Sequence, residues 1–356
     1  MKCDYLIVGA GLAGATCAFL LQAAGARVVL VERANAATKR KLCGGMLTAR
    51  SVALVDTLFG ERGSALYQHA STSMHLITDG FQTDIPHVTL RTLDRPRLDN
   101  LALENYLALG GMLVDQAKGW RVDLPARRAR VETPHGTLVA DYGTLVGADG
   151  ALSQVRRLLT GVTPAQAAAC KRPLVNASLE AACEPCGLPI TLQFDPVLYG
   201  YCWYIPSGEQ ANIGCMAGKP RANLRARLDA FAASLNLEYT NLRGAFLPSG
   251  AGVLLEQQGV YLLGDAAGLI CPPSGEGIYF ALESALQLAC ALARGGATYQ
   301  QRMHPCVHEV RRQYVQRHLV LNSRMQKTAG ALARAVPGAE TGLYSFALNR
   351  YAGFSG

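Results

Sequence analysis

Three glycines and a glutamate near the start of the chain have the spacing of a dinucleotide-binding site. Gly9, Gly11 and Gly14 follow a short apolar strand and open an apolar helix. Glycines in this pattern make a tight turn and let a pyrophosphate approach the N–H groups at the helix N-terminus. Glu32 ends the next apolar run, where its carboxylate can accept hydrogen bonds from ribose hydroxyls. The order strand, helix, strand therefore predicts a Rossmann-type unit.

A second glycine-rich segment lies much later in the chain. The run Gly264-Asp265-Ala-Ala-Gly268 stands between an apolar strand and a largely apolar helix that begins after Gly277. Its acid can face the ribitol or pyrophosphate of a bound FAD, and its small residues permit close backbone approach. The positive end of the following helix favours a reduced, anionic flavin ring. These features predict FAD rather than NAD as the bound dinucleotide.

Three segments in this order resemble the flavoprotein superfamily that shares the para-hydroxybenzoate hydroxylase fold. They run from Gly9 to Glu32, from Gly147 to Arg157 and from Gly264 to Gly277. The resemblance implies that Arg95 lies near the FAD and that Asp149-Gly150 belongs to a fingerprint linked to flavin and pyridine nucleotide use. The expected cofactor-binding residues are Gly9, Gly11, Ala13, Gly14, Glu32, Arg33, Arg95, Asp149, Gly150, Gly264, Asp265, Gly275, Gly277 and Ile278.

Within that superfamily, three motifs resemble the geranylgeranyl reductase group, whose members hydrogenate isolated double bonds of prenyl chains. The run 41–47 is similar to the CGG loop of that group, and the run 272–278 is similar to its PxxGxGI segment. The run 201–206 is similar to YxWxFP, except that Ile205 replaces the usual aromatic residue, which changes the expected shape of the hydrocarbon pocket. The resemblance implies a reacting face at Cys43, Gly44 and Gly45, and substrate contacts at Tyr201, Trp203 and Ile205.

Cys43 and two aromatic residues are the candidates for handling the substrate. Reduction of an unactivated alkene requires a hydride from the flavin, a proton donor on the opposite side and a dry apolar space. Cys43 can supply or relay the proton, because glycine-rich backbone and Lys41 can adjust the pKa of its thiol; packing under the flavin is the alternative. Tyr201 and Trp203 alternate on one strand and share a face, which lines either the pocket or the core.

Other functions compete with alkene reduction. The run 200–206 is close to the WxWxIP motif of flavin halogenases, but their halogen-carrying lysine has no counterpart here, since lysines occur at 39, 41 and next at 118. Aromatic hydroxylases, which are monooxygenases, usually have an asparagine after the late GxG, where this chain has Ile278 and Tyr279. A flavin-bearing redox sensor or binding protein without turnover is the non-enzyme alternative.

The apolar periodicities predict an α/β protein, α+β overall, with a Rossmann-type domain and an inserted antiparallel sheet. We expect a discontinuous FAD-binding domain over residues 1–172 and 249–295, with part of 51–115 contributing to the substrate side. Residues 173–248 carry alternating, aromatic-bearing strands and form the expected substrate domain. Residues 296–356 are expected to form a C-terminal helical region. The active site is expected where the first two domains meet.

Composition and charge indicate an ordered globular protein with an affinity for anions. Half of the 356 residues are hydrophobic, 37 are glycine, and the net charge is +8. The N-terminus lacks a signal-peptide pattern, and the apolar runs are shorter than the ~20 residues of a membrane-spanning helix. A cytoplasmic protein is therefore expected. The basic helical pattern after Arg302 fits either a solvated helix face or peripheral contact with anionic lipid at the inner face of the membrane.

The partners expected from these features are small molecules and an electron donor. The substrate is expected to be apolar or isoprenoid, and NADPH, NADH, reduced ferredoxin and reduced flavodoxin are all kept as donors. No nucleic-acid-binding motif is recognisable. His304 and His308 lie four residues apart but have no third ligand nearby, and Cys183 and Cys186 form a CxxC without a second pair. We therefore predict no metal site.

Overall fold

The computed structural model describes residues 1–79, 81–161, 175–218, 222–248 and 252–335. The strands are β1 (Lys2–Val8), β2 (Val28–Val31), β3 (Met46–Thr48), β4 (Tyr67–Ile77), β5 (Gln82–Leu93), β6 (Met112–Val114), β7 (Gly119–Asp123), β8 (Arg128–Thr133), β9 (Gly136–Gly147), β10 (Val175–Cys183), β11 (Thr191–Asp195), β12 (Gly200–Ser207), β13 (Gln210–Ala217), β14 (Tyr239–Pro248), β15 (Glu256–Gln257) and β16 (Val260–Leu262). The helices are α1 (Leu12–Ala23), α2 (Ala49–Ser64), α3 (Arg95–Ala108), α4 (Gln154–Thr160), α5 (Leu224–Ser234), α6 (Gly264–Ala267), α7 (Ile278–Arg294), α8 (Tyr299–Leu321) and α9 (Ser323–Ala335).

The first sheet is mainly parallel and is built around β1. Its hydrogen-bonded order is β15-β16-β9-β1-β2-β6, and β7 and β8 extend it in antiparallel fashion from the first half of β9. Leu6 of β1 lies between Leu145 of β9 and Val29 of β2. Every residue of β2 is buried, as expected for a parallel strand that is covered on both faces. Helix α1 packs against α3 and α7 beside this sheet.

The second sheet is mainly antiparallel and joins two distant parts of the chain. Its order is β14-β10-β13-β12-β11-β4-β5-β3, in which β11 pairs with β4 in parallel. Tyr201 and Trp203 of β12 belong to the core on one face, whereas Cys202 and Tyr204 pack with α5 on the other. This is the period-2 alternation of a sheet that is covered on both sides. Residues 46–93 therefore contribute three strands to the sheet that contains β12.

Helix α8 begins against the first sheet, and its far end contacts β11 of the second sheet. Thr298 caps α8 through a capping box with Gln301. The hydroxyl of Tyr299, at the start of α8, donates a hydrogen bond to the carbonyl of Leu262 at the end of β16, with an O···O distance of 3.0 Å. Among the helices of the described ranges, none is both long and apolar enough to cross a bilayer.

The predicted fold class is confirmed, because a Rossmann-type parallel sheet and a largely antiparallel sheet are both present. The strand predicted to carry Tyr201 and Trp203 is found at Gly200–Ser207, and Arg95 is the first residue of α3. The long β4–β5 hairpin was not assigned from the sequence. The domain limits remain predictions, and their boundaries near 172 and 249, with residues 336–356, lie outside the described residues.

The Tyr299 hydroxyl provides a test of this packing. We expect Tyr299→Phe to destabilise the protein by about 1 kcal/mol, because the Leu262 carbonyl loses a buried hydrogen bond. The midpoint of thermal denaturation, followed by circular dichroism, should fall by about 2 °C. Tyr261→Phe is the matched control, since the ring of Tyr261 packs edge-on against Tyr299 but no hydrogen bond from its hydroxyl is seen within the described ranges. Equal midpoints for the two variants would contradict the assignment.

Candidate active site

In the glycine turn after β1, Gly9 and Gly14 have no room for a side chain. Gly9 has φ +104°, and a Cβ there would overlap the backbone of Ala148. A Cβ on Gly14 would overlap the carbonyl oxygen of Gly9. At Gly11, by contrast, the nearest atom to an added Cβ is Lys39 Nζ at 3.8 Å, and no side chain caps α1. The N-terminal N–H groups of α1 therefore face open space, as a bound pyrophosphate requires.

Glu32 is buried beside this turn as an ionised carboxylate. Its Oε2 accepts a hydrogen bond from the N–H of Ala10 at 2.9 Å, and its Oε1 accepts one from Ala34 at 2.9 Å. Lys39 forms an ion pair with Oε2. Burial alone would raise the pKa of Glu32, but the charge of Lys39 and the backbone N–H groups outweigh it and lower the pKa. This carboxylate is placed to accept hydrogen bonds from a ribose.

Two further ion pairs lie where α3 and α6 meet the run 41–45. Lys41 Nζ lies 2.7 Å from Asp265 Oδ2. The guanidinium of Arg95 is buried, and its Nε donates to Asp99 Oδ1 at 2.7 Å. Burial lowers the pKa of Arg95, yet the charge and hydrogen bond of Asp99 and the charge of Asp265 leave it above the ordinary value. Arg95 is thus a permanent cation that faces Asp265.

These residues fit the shape and charge of FAD. The open space at Gly11, the carboxylate of Glu32 and the Asp265 segment follow one another along the carboxyl edge of the parallel sheet. Gly264 has φ +48° and would bring a Cβ within 3.4 Å of the Cβ of Ala13, so the two motifs touch. Gly277 caps the N-terminus of α7. Gly11 and Glu32 would hold the adenosine half, and Asp265 and Gly277 the flavin half.

A cleft of about 880 Å³, including its mouth open to solvent, lies between this edge and the second sheet. Five of the predicted cofactor residues line it: Arg95, Asp265, Gly275, Gly277 and Ile278. All predicted catalytic and substrate residues line it as well: Cys43, Gly44, Gly45, Tyr201, Trp203 and Ile205. Met216, Leu192 and Leu247 complete an apolar wall. The structure therefore brings all of the predicted catalytic and substrate residues, and part of the predicted cofactor set, to one cavity.

Gly44 and Gly45 are packed closely against the second sheet. Gly45 has φ +71°, and a Cβ there would overlap the carbonyl oxygen of Leu93, whose N–H donates to the Gly45 carbonyl at 3.0 Å. A Cβ on Gly44 would lie 2.7 Å from Ile205 Cδ1. The Cys43 thiol accepts a hydrogen bond from the Gly45 N–H at 3.4 Å. Burial raises the pKa of Cys43, so the protonated thiol is favoured over the thiolate.

The aromatic residues of β12 are fixed by polar contacts at the cleft. The hydroxyl of Tyr201 donates to the carbonyl of Ser274, in the loop before α7. The indole Nε1 of Trp203 donates to Asn212 Oδ1 at 2.7 Å. Gly214 leaves room for the indole, since a Cβ there would overlap it. Both rings thus form the wall of the cleft as well as part of the core on that face.

Some predicted cofactor residues lie away from the cleft. The side chain of Arg33 is exposed. Asp149 accepts hydrogen bonds from the N–H groups of Gln154 and Val155 and from the Ser153 hydroxyl, so its carboxylate faces the start of α4. Gly150 has φ +81° in the turn that precedes this helix. Their assigned roles toward the cofactor remain predictions.

Sequence reasoning missed a polar residue of the cleft wall and the polar residue that it contacts. Glu180 on β10 lines the cleft and is buried. Asn212 on β13 accepts from Trp203 and, through its Nδ2, lies 3.5 Å from Glu180 Oε2. Strand alternation was the available signal, but it required the pairing of β10, β12 and β13 to be known. Among the described residues, no group of three or more His, Cys, Asp or Glu side chains could hold a metal ion.

Comparisons with known proteins agree with this geometry. The FAD binding domain family matches residues 2–98. The geranylgeranyl diphosphate reductase of Rhodobacter capsulatus is 30% identical over 310 residues, which cover 79% of this chain and 72% of that protein. This chain belongs to the geranylgeranyl reductase family. The menaquinone reductase of Mycolicibacterium smegmatis is also 30% identical to this chain, and the match covers 83% of this chain and 78% of that protein.

A solved structure shares the fold over almost the whole length. The geranylgeranyl bacteriochlorophyll reductase-like protein of Thermoplasma acidophilum superimposes with a TM-score of 0.75 and covers 97% of this chain and 96% of its own, at 16% identity. The predicted family of FAD-dependent oxidoreductases is therefore confirmed.

Glu32 provides a test of the cofactor site. We expect Glu32→Gln to raise the dissociation constant of FAD at least about tenfold, because a charged hydrogen-bond acceptor for the ribose is lost. Titration of the FAD-free protein with FAD, followed by flavin fluorescence, measures the constant. Glu132→Gln on the exposed face of β8 is the control, since it removes the same charge far from the glycine turn. An unchanged constant for Glu32→Gln would remove this residue from the site.

Proposed function

We propose that the protein reduces carbon–carbon double bonds of an apolar, prenyl-type substrate with electrons from FAD. One observation carries the proposal: an apolar wall of β12 and β13 side chains faces the residues assigned to the flavin across a single cleft. Tyr201, Trp203 and Met216 supply that wall. Such a wall holds a hydrocarbon chain and excludes water from the reacting carbon atoms. The reductase activities of the two curated relatives support the same reaction class.

The bound FAD would supply the hydride. The protein would position the alkene, exclude water and supply a proton. Asp265, Arg95 and the N-terminus of α7 surround the place assigned to the flavin, where the helix end favours negative charge on its ring. NADPH, NADH, reduced ferredoxin and reduced flavodoxin are the candidate electron donors. The cleft is compatible with any donor that reduces the flavin before the alkene enters.

Cys43 would lie at the reacting face with Gly44 and Gly45. Its thiol is held by the Gly45 N–H and is a weaker acid than a free cysteine, because burial raises its pKa. We propose that it relays a proton or fixes the distance between the alkene and the flavin. Because Gly44 and Gly45 have no side chains, a prenyl chain could pass close to both the Cys43 thiol and the flavin.

We further propose that the protein acts in the cytoplasm and touches the inner face of the membrane through α8 and α9. Arg311, Arg312 and Arg324 are exposed on these helices. Val315 is 69% exposed and Met325 is 44% exposed among them. Basic and apolar side chains on one helical surface suit anionic lipid headgroups. Such contact would bring the cleft to a membrane-dissolved isoprenoid.

An anaerobic assay tests the reaction class. With the FAD reduced by dithionite, geranylgeranyl diphosphate should reoxidise it in the absence of oxygen, because the alkene accepts the hydride. Flavin absorbance in a stopped-flow instrument follows the reaction, and mass spectrometry should find a product heavier by two hydrogen atoms. The fully saturated chain is the matched control and should leave the flavin reduced. Reoxidation only after oxygen is admitted, with oxygen in the product, would replace the reductase by a monooxygenase.

A conservative change tests Cys43. We expect Cys43→Ser to lower the rate of alkene reduction at least about tenfold, because a hydroxyl is a poorer proton relay than a thiol. The dissociation constant of FAD should stay within about twofold, since no cofactor charge changes. Cys271→Ser is a control cysteine that is buried outside the wall of the cleft. Equal rates for Cys43→Ser and the parent protein would leave Cys43 with a packing role only.

A further inference from the structure

Glu180 is a buried acid of the cleft to which no role has yet been given. It lies on β10, is only 5% exposed, and lines the cleft with Cys43, Trp203 and Gly277. The neighbouring Ala181 packs with α5 on the far side of the sheet. Alternation along the strand therefore turns Glu180 toward the cleft. Its carboxyl group is placed to act on whatever fills that space.

The partners of Glu180 are weak for a buried carboxylate. Asn212 Nδ2 lies 3.5 Å from Glu180 Oε2, at the long limit of a hydrogen bond. The Trp203 indole fixes the orientation of Asn212, because an N–H donor must meet Oδ1 and so leaves Nδ2 for Glu180. Within the described ranges Glu180 has no ion pair, since the nearby cations Lys41 and Arg95 are paired with Asp265 and Asp99. A protonated carboxyl suits this environment better than a carboxylate.

The surrounding charges support that protonation state. Burial raises the pKa of Glu180 to about 7, against the Asn212 hydrogen bond and the charges of Lys41 and Arg95, which lower it. A charge on Glu180 would in turn raise the pKa of Cys43 and of Tyr201, both of which burial already raises.

Three other charged groups complete its surroundings. Arg243 of β14 is its exposed neighbour in register, and Asp265 and Glu276 are the other acids of the cleft wall. Near neutral pH the cleft therefore holds a carboxylic acid that is stronger than the thiol or the phenol beside it.

We propose that Glu180 is the acid that protonates the alkene, an inference that rests on the proposed function. One alkene carbon accepts the hydride supplied by reduced FAD, which is oxidised by two electrons. The other carbon uses the π electrons to form a C–H bond with the carboxyl proton, and the O–H bond of Glu180 breaks. Glu180 is left as a carboxylate and takes a proton from water before the next turnover. The product gains two hydrogen atoms and no charge.

The pH profile of a single anaerobic turnover tests this step. With reduced, FAD-loaded protein and geranylgeranyl diphosphate, the rate constant for flavin reoxidation should be level well below about pH 7 and fall about tenfold per pH unit well above it. The direction follows because the protonated acid reacts and is lost as the pH rises through its pKa. Glu180→Gln should be slower by at least about a hundredfold and should lack this bend. The KM of Glu180→Gln for geranylgeranyl diphosphate should change little.

Two further measurements distinguish the protonation step at Glu180 from the redox chemistry of the cofactor. The infrared difference spectrum of the FAD-loaded protein between about pH 5 and about pH 9 should contain a carbonyl band of a protonated carboxyl that Glu180→Gln lacks. Oxidation of the reduced protein by ferricyanide needs no proton donor and should be equal in both. Glu238→Gln, an exposed acid outside the cleft wall, should keep both the band and the pH profile.

The outcomes distinguish a failure of this proposal from a failure of the proposed function on which it rests. If the parent protein reduces the alkene and Glu180→Gln does so with the same rate and pH profile, only the role of Glu180 is overturned. A change in KM with an unchanged kcat would also overturn it, in favour of substrate binding. If the parent protein never reduces the alkene, both proposals fail together. Should Glu180→Gln not fold, a parent profile without a bend, or a spectrum without the band, overturns the role of Glu180.

Discussion

The cleft depends on one close backbone contact, where Gly44 and Gly45 lie against the second sheet. Gly45 lies against the Leu93 carbonyl, at the end of the β5 strand, and Gly44 lies against Ile205 of β12. A side chain at either position would push the run 43–45 away from the wall of the cleft that β12 supplies. Because only backbone fits there, the Cys43 side chain and the β12 side chains line the same cleft.

Buried charge is the second constraint, and it is distributed unevenly. Glu32 is paired with Lys39, Asp265 with Lys41, and Arg95 with Asp99. In each pair an opposite charge and hydrogen bonds compensate for lost hydration. Glu180 is different, with one long hydrogen bond from Asn212 and no ion pair in the described ranges. The cofactor edge is therefore lined by ion pairs, whereas the wall on the second sheet is mainly apolar.

Local spacing was enough to predict the cofactor edge and the sharing of one face by Tyr201 and Trp203. These features depend on a turn, a helix start or the alternation of a single strand, all of which are encoded within a few residues. Glu180 and Asn212 could not be predicted as a pair, because their proximity comes from the antiparallel register of β10 and β13. Nor does the sequence reveal the parallel pairing of β4 with β11, which brings residues 46–93 into the substrate sheet. Such long-range pairings follow from packing of the whole chain.

The loop before α7 is anchored by two separate elements. This limits the positions that could determine the proposed substrate selectivity. Tyr201 of the second sheet donates to its Ser274 carbonyl, and Arg50 of α2 binds its Glu276 carboxylate at 2.5 Å. A loop anchored to two separate elements cannot move toward or away from a substrate without breaking a buried polar contact. Ile205 and Met216, by contrast, line the cleft with apolar side chains that carry no polar anchor. For the proposed prenyl-type substrate, they are therefore the positions at which we expect a change of side-chain volume to alter which chain is accepted.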